Sequence, residues 1–261
     1  MAIAVGKITN PETGNFIQAA GITDETQMKA IGRLVVDLKS YNLWDKMKAV
    51  YPFVGQPGVS SSFQYNLKDP RNSNDAYRIA FTATGWTFAS TGVTPNGTSA
   101  YANTFINSSG SFDFTSNHLS IYGGTSDVTR VHYAIGAKDY FFMRIANTFT
   151  SRNLNNSSLF KSGLTTNNGF TLSTRNALDS RKAFNNNLQL DASTDVATTD
   201  VRDSAIIFGA SNDGSFVSIS PVNYADGEIR FISVGDGLTD TDASNLYTAV
   251  QRFQTTLGRQ V

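Results

Sequence analysis

The 261-residue sequence predicts a mainly β protein, an antiparallel sandwich or jelly roll with an N-terminal helical region and a C-terminal helix. Three observations predict it. Short β-like runs follow one another from about residue 71 onward, and clusters of Gly, Asn and Asp separate them. The crossover helices that a parallel sheet would require are missing between those runs. Helical periodicity is confined to the two ends of the chain.

Residues 1–22 carry no clear periodicity and read as an extended arm. From Thr23 the pattern turns helical: Asp24 and Gln27 resemble a capping box, and Met28, Ile31, Leu34, Val35 and Leu38 share one face. A second short helix is expected over 43–49, presenting Trp44 and Met47 and ending at Tyr51-Pro52. Residues 23–70 thus form a helical packing or anchoring region. The sandwich spans 71–236, with strands expected at 77–83, 112–114, 119–122, 131–135, 140–145, 170–174, 181–184, 205–208, 216–219 and 229–234. Pro95-Asn96-Gly97, Gly123-Gly124, Asn167-Asn168-Gly169, Asn212-Asp213-Gly214 and Asp226-Gly227 break them. Residues 237–261 close the chain: Thr239 and Asp242 form a capping signature, and Leu246, Val250, Phe253 and Leu257 mark the face of a helix packed on the sandwich.

Composition excludes several classes of function. Lys+Arg and Asp+Glu are balanced at 21 each, so the basic excess of a nucleic-acid binder is missing. Charged residues make up 16% of the chain, below the roughly 25% of an average domain, and polar uncharged residues fill the gap. No run approaches the roughly 18 apolar residues of a spanning helix, so membrane insertion is not expected. The segment Met1–Lys7 lacks the pattern of a secretory signal, which predicts synthesis in a cytoplasm without general export. There are no cysteines, which removes disulfides, thiolate nucleophiles and cysteine metal ligands.

The flanks carry specific words. Leu34-Val35-Val36-Asp37-Leu38-Lys39 leads to Trp44-Asp45-Lys46-Met47-Lys48-Ala49-Val50-Tyr51-Pro52-Phe53-Val54-Gly55. Asn66-Leu67-Lys68-Asp69-Pro70-Arg71, Gly85-Trp86-Thr87 and Pro95-Asn96-Gly97-Thr98 follow. The chain ends through Ile232-Ser233-Val234-Gly235-Asp236-Gly237-Leu238-Thr239-Asp240 and Phe253–Val261. Over residues 23–104 and 228–261 the sequence resembles a family of tailed-bacteriophage virion proteins found with Bacteroidetes-type hosts. Their central part is similar to the concanavalin-A-like lectin/glucanase, or laminin-G-like, jelly roll. The resemblance implies a non-enzymatic fibre, capsid-decoration or tail-associated protein located in the virion. Implied partners are other virion proteins, further copies of the chain (a trimer, by analogy with phage fibres) and a host surface glycan. It brings no catalytic residues and no cofactor.

Jelly rolls of this kind also house glycoside hydrolases, whose retaining members set two carboxylates close together. Glu12, Glu25 and Glu228 are far apart in sequence, and Asp191, Asp195, Asp200 and Asp203 read as a solvated loop. His118 and His132 stand without a nucleophile-elbow motif and read as inert, hydrogen-bonded residues at strand edges. Asp236, Asp240 and Asp242 do not follow the EF-hand spacing and read as helix-capping groups, so no metal site is assigned. For a glycan, the candidate patch is Trp86, Tyr101 and Asn103, an aromatic platform with an amide for hydroxyl groups.

Overall fold

The structure, a computed structural model, describes residues 10–125, 131–137, 140–145, 148–153, 159–164, 168–197 and 203–261, with backbone alone at 131–137, 140–145 and 160. Two antiparallel sheets form a sandwich. The first runs β13 (Leu188–Ser193), β12 (Ser180–Asn185), β11 (Gly169–Ala177), β6 (Asn117–Gly123), β17 (Ile229–Gly235), β4 (Gly92–Pro95) and β3 (Trp86–Ala89), with β1 (Met47–Tyr51) also on β17. The second runs β10 (Leu159–Lys161), β9 (Thr148–Asn153), β8 (Tyr140–Ile145), β7 (Val131–Ala137), β14 (Ala205–Phe208), β5 (Ala102–Asn107) and β2 (Ala80–Phe81). β15 (Ser211–Asn212) and β16 (Pro221–Val222) extend it.

Helices α1 (Pro11–Ala20), α2 (Glu25–Ser40) and α3 (Asp240–Thr256) form a third layer on the outer face of the first sheet. β6 and β17 are therefore buried along their whole length. Their period-2 alternation divides two cores. Tyr122 and Phe231 point into the helix layer with Leu34, Val35, Leu246 and Phe253. Leu119, Ile121, Ile232 and Val234 point between the sheets with Phe149, Ile206 and Phe208.

The helix ends are specified locally. Asn10 caps α1 by accepting the Thr13 N–H at 2.8 Å, and Pro11 occupies the first helical position. Residues 11–20 are thus a packed helix and not part of an extended arm; Phe16 and Ile17 lie in the core. Asp24 caps α2, and Thr239 with Asp242 makes the capping box expected for α3. All three helices end the same way. The N–H groups of Ile22, Leu43 and Arg259 reach back five residues to the carbonyls of Ile17, Leu38 and Gln254. Gly21, Asn42 and Gly258 hold the left-handed turn, with φ of 63°, 56° and 66°.

Other expectations shift. Residues 43–49 form one 3-10 turn at Trp44–Lys46 followed by β1, because Ala49, Val50 and Tyr51 are claimed by pairing with β17. The sandwich accordingly begins at residue 47 and not at 71. The runs at 112–114 and 216–219 are not strands. An isolated Asp113–Ser116 bridge holds the first, and the second folds its Phe216 and Ile219 onto the outside of the second sheet. Tyr77–Ala83 contributes only β2, since Tyr77 takes a left-handed φ of 56°.

His118 lies mid-sheet under the helix layer, fully buried, rather than at a strand edge. Its Nδ1–H donates to the Asp236 carbonyl at 2.6 Å, which leaves Nε2 to accept from the Ser233 hydroxyl at 3.1 Å. His132 lies on β7, outside the residues whose side chains are described.

Arg259 closes the molecule. Its guanidinium is buried and donates to the carbonyls of Phe53 (3.0 Å), Thr91 (2.9 Å), Pro52 (2.9 Å) and Arg230 (3.0 Å), with Nε on Gln254 Oε1 at 2.6 Å. One planar fork thus ties α3 to the exit of β1, to the start of β17 and to the β3–β4 hairpin. Burial depresses its pKa to about 9.

Replacing Arg259 by Met strands these carbonyls and should cost on the order of 3 kcal/mol, a fall in Tm of roughly 6–12 °C. Arg259→Lys should recover little of it in a thermal melt, because one ammonium cannot span the fork. Burial also drives the His118 pKa down to about 4, below its ordinary 6.5. The unfolded chain therefore takes up this proton first as pH falls. Stability should decline from about pH 6.5 to about 4, by on the order of 3 kcal/mol at most. Urea midpoints measured across that window should show the slope, and His118→Gln should flatten it.

Candidate ligand-binding groove

The three residues expected to make a glycan platform do not share a surface. Trp86 points into the sandwich, edge-on to Phe81 at 5.1 Å and to Phe208 at 5.6 Å between ring centroids. Its indole N–H is spent on Thr82 Oγ1 (3.1 Å) and the Tyr101 carbonyl (3.3 Å). A side chain at Gly209 would lie within 2.9 Å of its ring, so the backbone there is fitted to the indole. Tyr101 faces the other side of the second sheet and packs with Phe216, Ile219 and Tyr224 over Ala205 and Ile207. Asn103 turns its Oδ1 back to the Phe105 N–H at 2.9 Å, supporting a bulge where Phe105 has φ 56°.

A different set of side chains converges beside the helix layer. Glu12, Lys39, Asn42, Trp44 and Asp45 line a groove of about 410 Å³. Local sequence explains the convergence. The left-handed turn at Asn42 ends α2 and swings Leu43 into the core, which sets Trp44 and Asp45 on the next turn beside Lys39. The cap at Asn10 brings Glu12 of α1 alongside, and Lys39 Nζ meets Glu12 Oε1 at 2.6 Å. Lys68 adjoins Trp44, its Nζ 4.3 Å from the ring centroid and donating to the Trp44 carbonyl at 2.6 Å. Lys39 Nζ also lies 5.5 Å from that ring.

The electrostatics are balanced. The Lys39 hydrogen bond holds the Glu12 carboxyl below its ordinary range. Partial burial lowers the Lys68 ammonium, while Asp45 and Glu12 counter that pull. Several groups are left over. Glu12 Oε2 has no partner, and the side chains of Asn42 and Asp45 and the Trp44 indole N–H make no hydrogen bond among the described residues.

The carboxylates weighed for catalysis are dispersed. Glu228 faces Arg230 at 3.3 Å, Asp195 faces Arg181 at 2.7 Å, and Asp203 accepts from the Asn107 amide. Asp240 pairs with Lys182 at 2.7 Å and Asp242 with Lys46 at 2.6 Å; Asp200 lies outside the described residues. Among the described residues, no three His, Asp or Glu side chains are grouped to hold a metal ion.

No protein-family model matches the chain. No curated protein matches it either. Solved structures do. The binding domain of botulinum neurotoxin DC, in complex with rat synaptotagmin II, superposes with a TM-score of 0.50 at 13% identity, covering 80% of this chain and 52% of that one. This chain therefore spans about half the length of that neurotoxin structure. Domain 4 of AbnA, an extracellular arabinanase from Geobacillus stearothermophilus in complex with arabinotriose, covers 79% of this chain and 98% of its own, with a TM-score of 0.46 at 15% identity. At such identities the likeness is one of fold, and the neurotoxin superposition agrees with an antiparallel β-sandwich.

The two tryptophans should separate in a stability measurement. Trp86→Ala removes a half-buried ring packed on Phe81 and Phe208 and should cost about 3 kcal/mol in urea unfolding. Trp44→Ala, at a half-open groove, should cost about 1 kcal/mol.

Proposed function

We propose that this chain is a non-enzymatic display protein of a tailed-phage particle, presenting a lectin-like sandwich from a locked frame. The observation that carries the reading is how the chain divides. The two stretches that resemble phage virion proteins, 23–104 and 228–261, meet in space. β1 pairs with β17, α2 packs on α3, and Arg259 fastens both. The stretch between them supplies β6, which pairs with β17 at the centre of the first sheet, and also the outer strands β8–β10, β12 and β13 at one end of the two sheets. A frame closed by both flanks, with outer strands left at one end, suits a protein that works by position. Host-glycan attachment is the second reading, and the groove at Trp44 favours it.

The carboxylates support a non-catalytic role. A glycosidase needs one carboxylic acid with a raised pKa to protonate the leaving oxygen. Glu12, the groove's glutamate, is shifted the other way by Lys39.

The reading predicts that the chain is found by mass spectrometry in salt-washed, gradient-purified phage particles. Labelled full-length protein should rebind particles depleted of it, and host polysaccharide incubated with it should gain no reducing ends. Absence from washed particles would sink the virion role. Release of reducing sugar that is lost in Glu12→Gln would sink the non-enzymatic one.

A further inference from the structure

We infer that the groove between α1 and the turn after α2 binds a neutral, hydroxyl-rich ligand, a pyranose or short uncharged oligosaccharide, with Trp44, Asn42 and Asp45 as its contact residues. This deepens the reading of the chain as a binding module and rests on it.

Charge narrows the ligand class. The groove is lined by two carboxylates, Glu12 and Asp45, and the Lys39 ammonium, and the Lys68 ammonium lies near enough to interact with all three. A phosphate or carboxylate ligand would face the two acids, and an oligocation would face the two lysines. A neutral ligand meets neither penalty.

Hydrogen bonding narrows it further. Asn42 offers both a donor and an acceptor, Asp45 offers acceptors, and the Trp44 indole offers a donor, none of them used within the described fold. Sugar hydroxyls donate and accept, so a single ring can satisfy this mixed set, whereas a purely apolar ligand would leave it unmet. The volume of about 410 Å³ falls within the roughly 300–1,000 Å³ of small-molecule sites.

The site is also preorganised. Lys68 and the left-handed turn at Asn42 fix Trp44 from both sides in sequence, and the Lys39–Glu12 bridge spans the mouth. Binding therefore requires little ordering beyond the exposed Asn42 and Asp45 side chains.

The test uses the full chain labelled with nitrogen-15. Its two tryptophans give two indole N–H signals, assigned with Trp44→Phe. The probes are a panel of neutral methyl pyranosides and disaccharides at millimolar concentrations, with sodium phosphate and spermidine as charged comparators. The expected result is a saturable shift of the Trp44 signal with at least one neutral sugar, while Trp86 stays in place. Asn42→Gly preserves the turn, and with Asp45→Ala it should weaken that binding tenfold or more at unchanged Tm. The inference is overturned if Trp44 responds to no sugar in the panel, if it responds only to phosphate or spermidine, or if both variants bind sugar as the parent does. A chain present in phage particles with a silent Trp44 would overturn the groove alone. A sugar-responsive groove in a chain absent from particles would overturn the virion role alone.

Discussion

The centre of the first sheet, β6 and β17, is buried on both faces, and the rest of the molecule follows from that constraint. A sheet that packs a second sheet on one side and solvent on the other can keep a polar outer face. Here β6 and β17 have no such face, so every side chain along them must be apolar, paired or hydrogen-bonded. The three helices exist to cover the side that the second sheet does not reach. The polar residues of β6 and β17 that remain under them are partnered: Ser120 meets Ser233 at 2.6 Å, Ser233 meets His118, and His118 meets a backbone carbonyl. The neutral imidazole that this network demands is why acid should act on the helix–sheet layer.

The same constraint explains which parts of the fold were legible in the sequence. The end helices were readable because α2 and α3 each show a cap and an apolar stripe. The strands at 140–145 and 205–208 match the structure because turn residues bound short apolar runs on both sides. β1 was misread as helix because Trp44, Met47 and Val50 fall at helical spacing. That spacing reflects one half-exposed 3-10 turn running into a strand whose alternate residues face two cores. Strands β5 and β9 escaped notice because Asn, Thr and Ser dominate them, and their pairing is set by long-range partners rather than by local pattern. α1 left a signal that went unused: Asn10-Pro11-Glu12 is an N-cap, a first-turn proline and a first-turn acid in order.

The groove was illegible for a related reason. Its acid comes from the first helix and its lysines from positions 39 and 68, so no window of sequence contains it. With residues 1–22 read as an arm, Glu12 had no location, and Trp44 read as one more residue on a buried stripe. Trp86 misled in the opposite direction. A tryptophan in a Gly- and Thr-rich stretch looks like a surface platform, yet Gly209 has given up its side chain to admit the ring to the core. Both tryptophans are half-buried; the one packed against the sandwich core is marked by the glycine that faces it, far away in sequence, and the one at the groove by the lysine beside it.

Arg259 links the frame to what it presents. A buried guanidinium with backbone carbonyls as its partners is weak as a source of stability, since desolvating the charge costs about as much as the bonds return. It is strong as a source of geometry, because a planar fork accepts few arrangements of its acceptors. Pro52 and Phe53 follow β1, Thr91 sits in the β3–β4 turn, and Arg230 belongs to β17; all three are held in one register by a residue from the far end of the chain. Arg230 in turn donates to the Arg259 carbonyl, so the latch is reciprocal. Apolar packing sets how close the helix layer lies to the sheet, and the fork adds a directional requirement that fixes which carbonyls it faces.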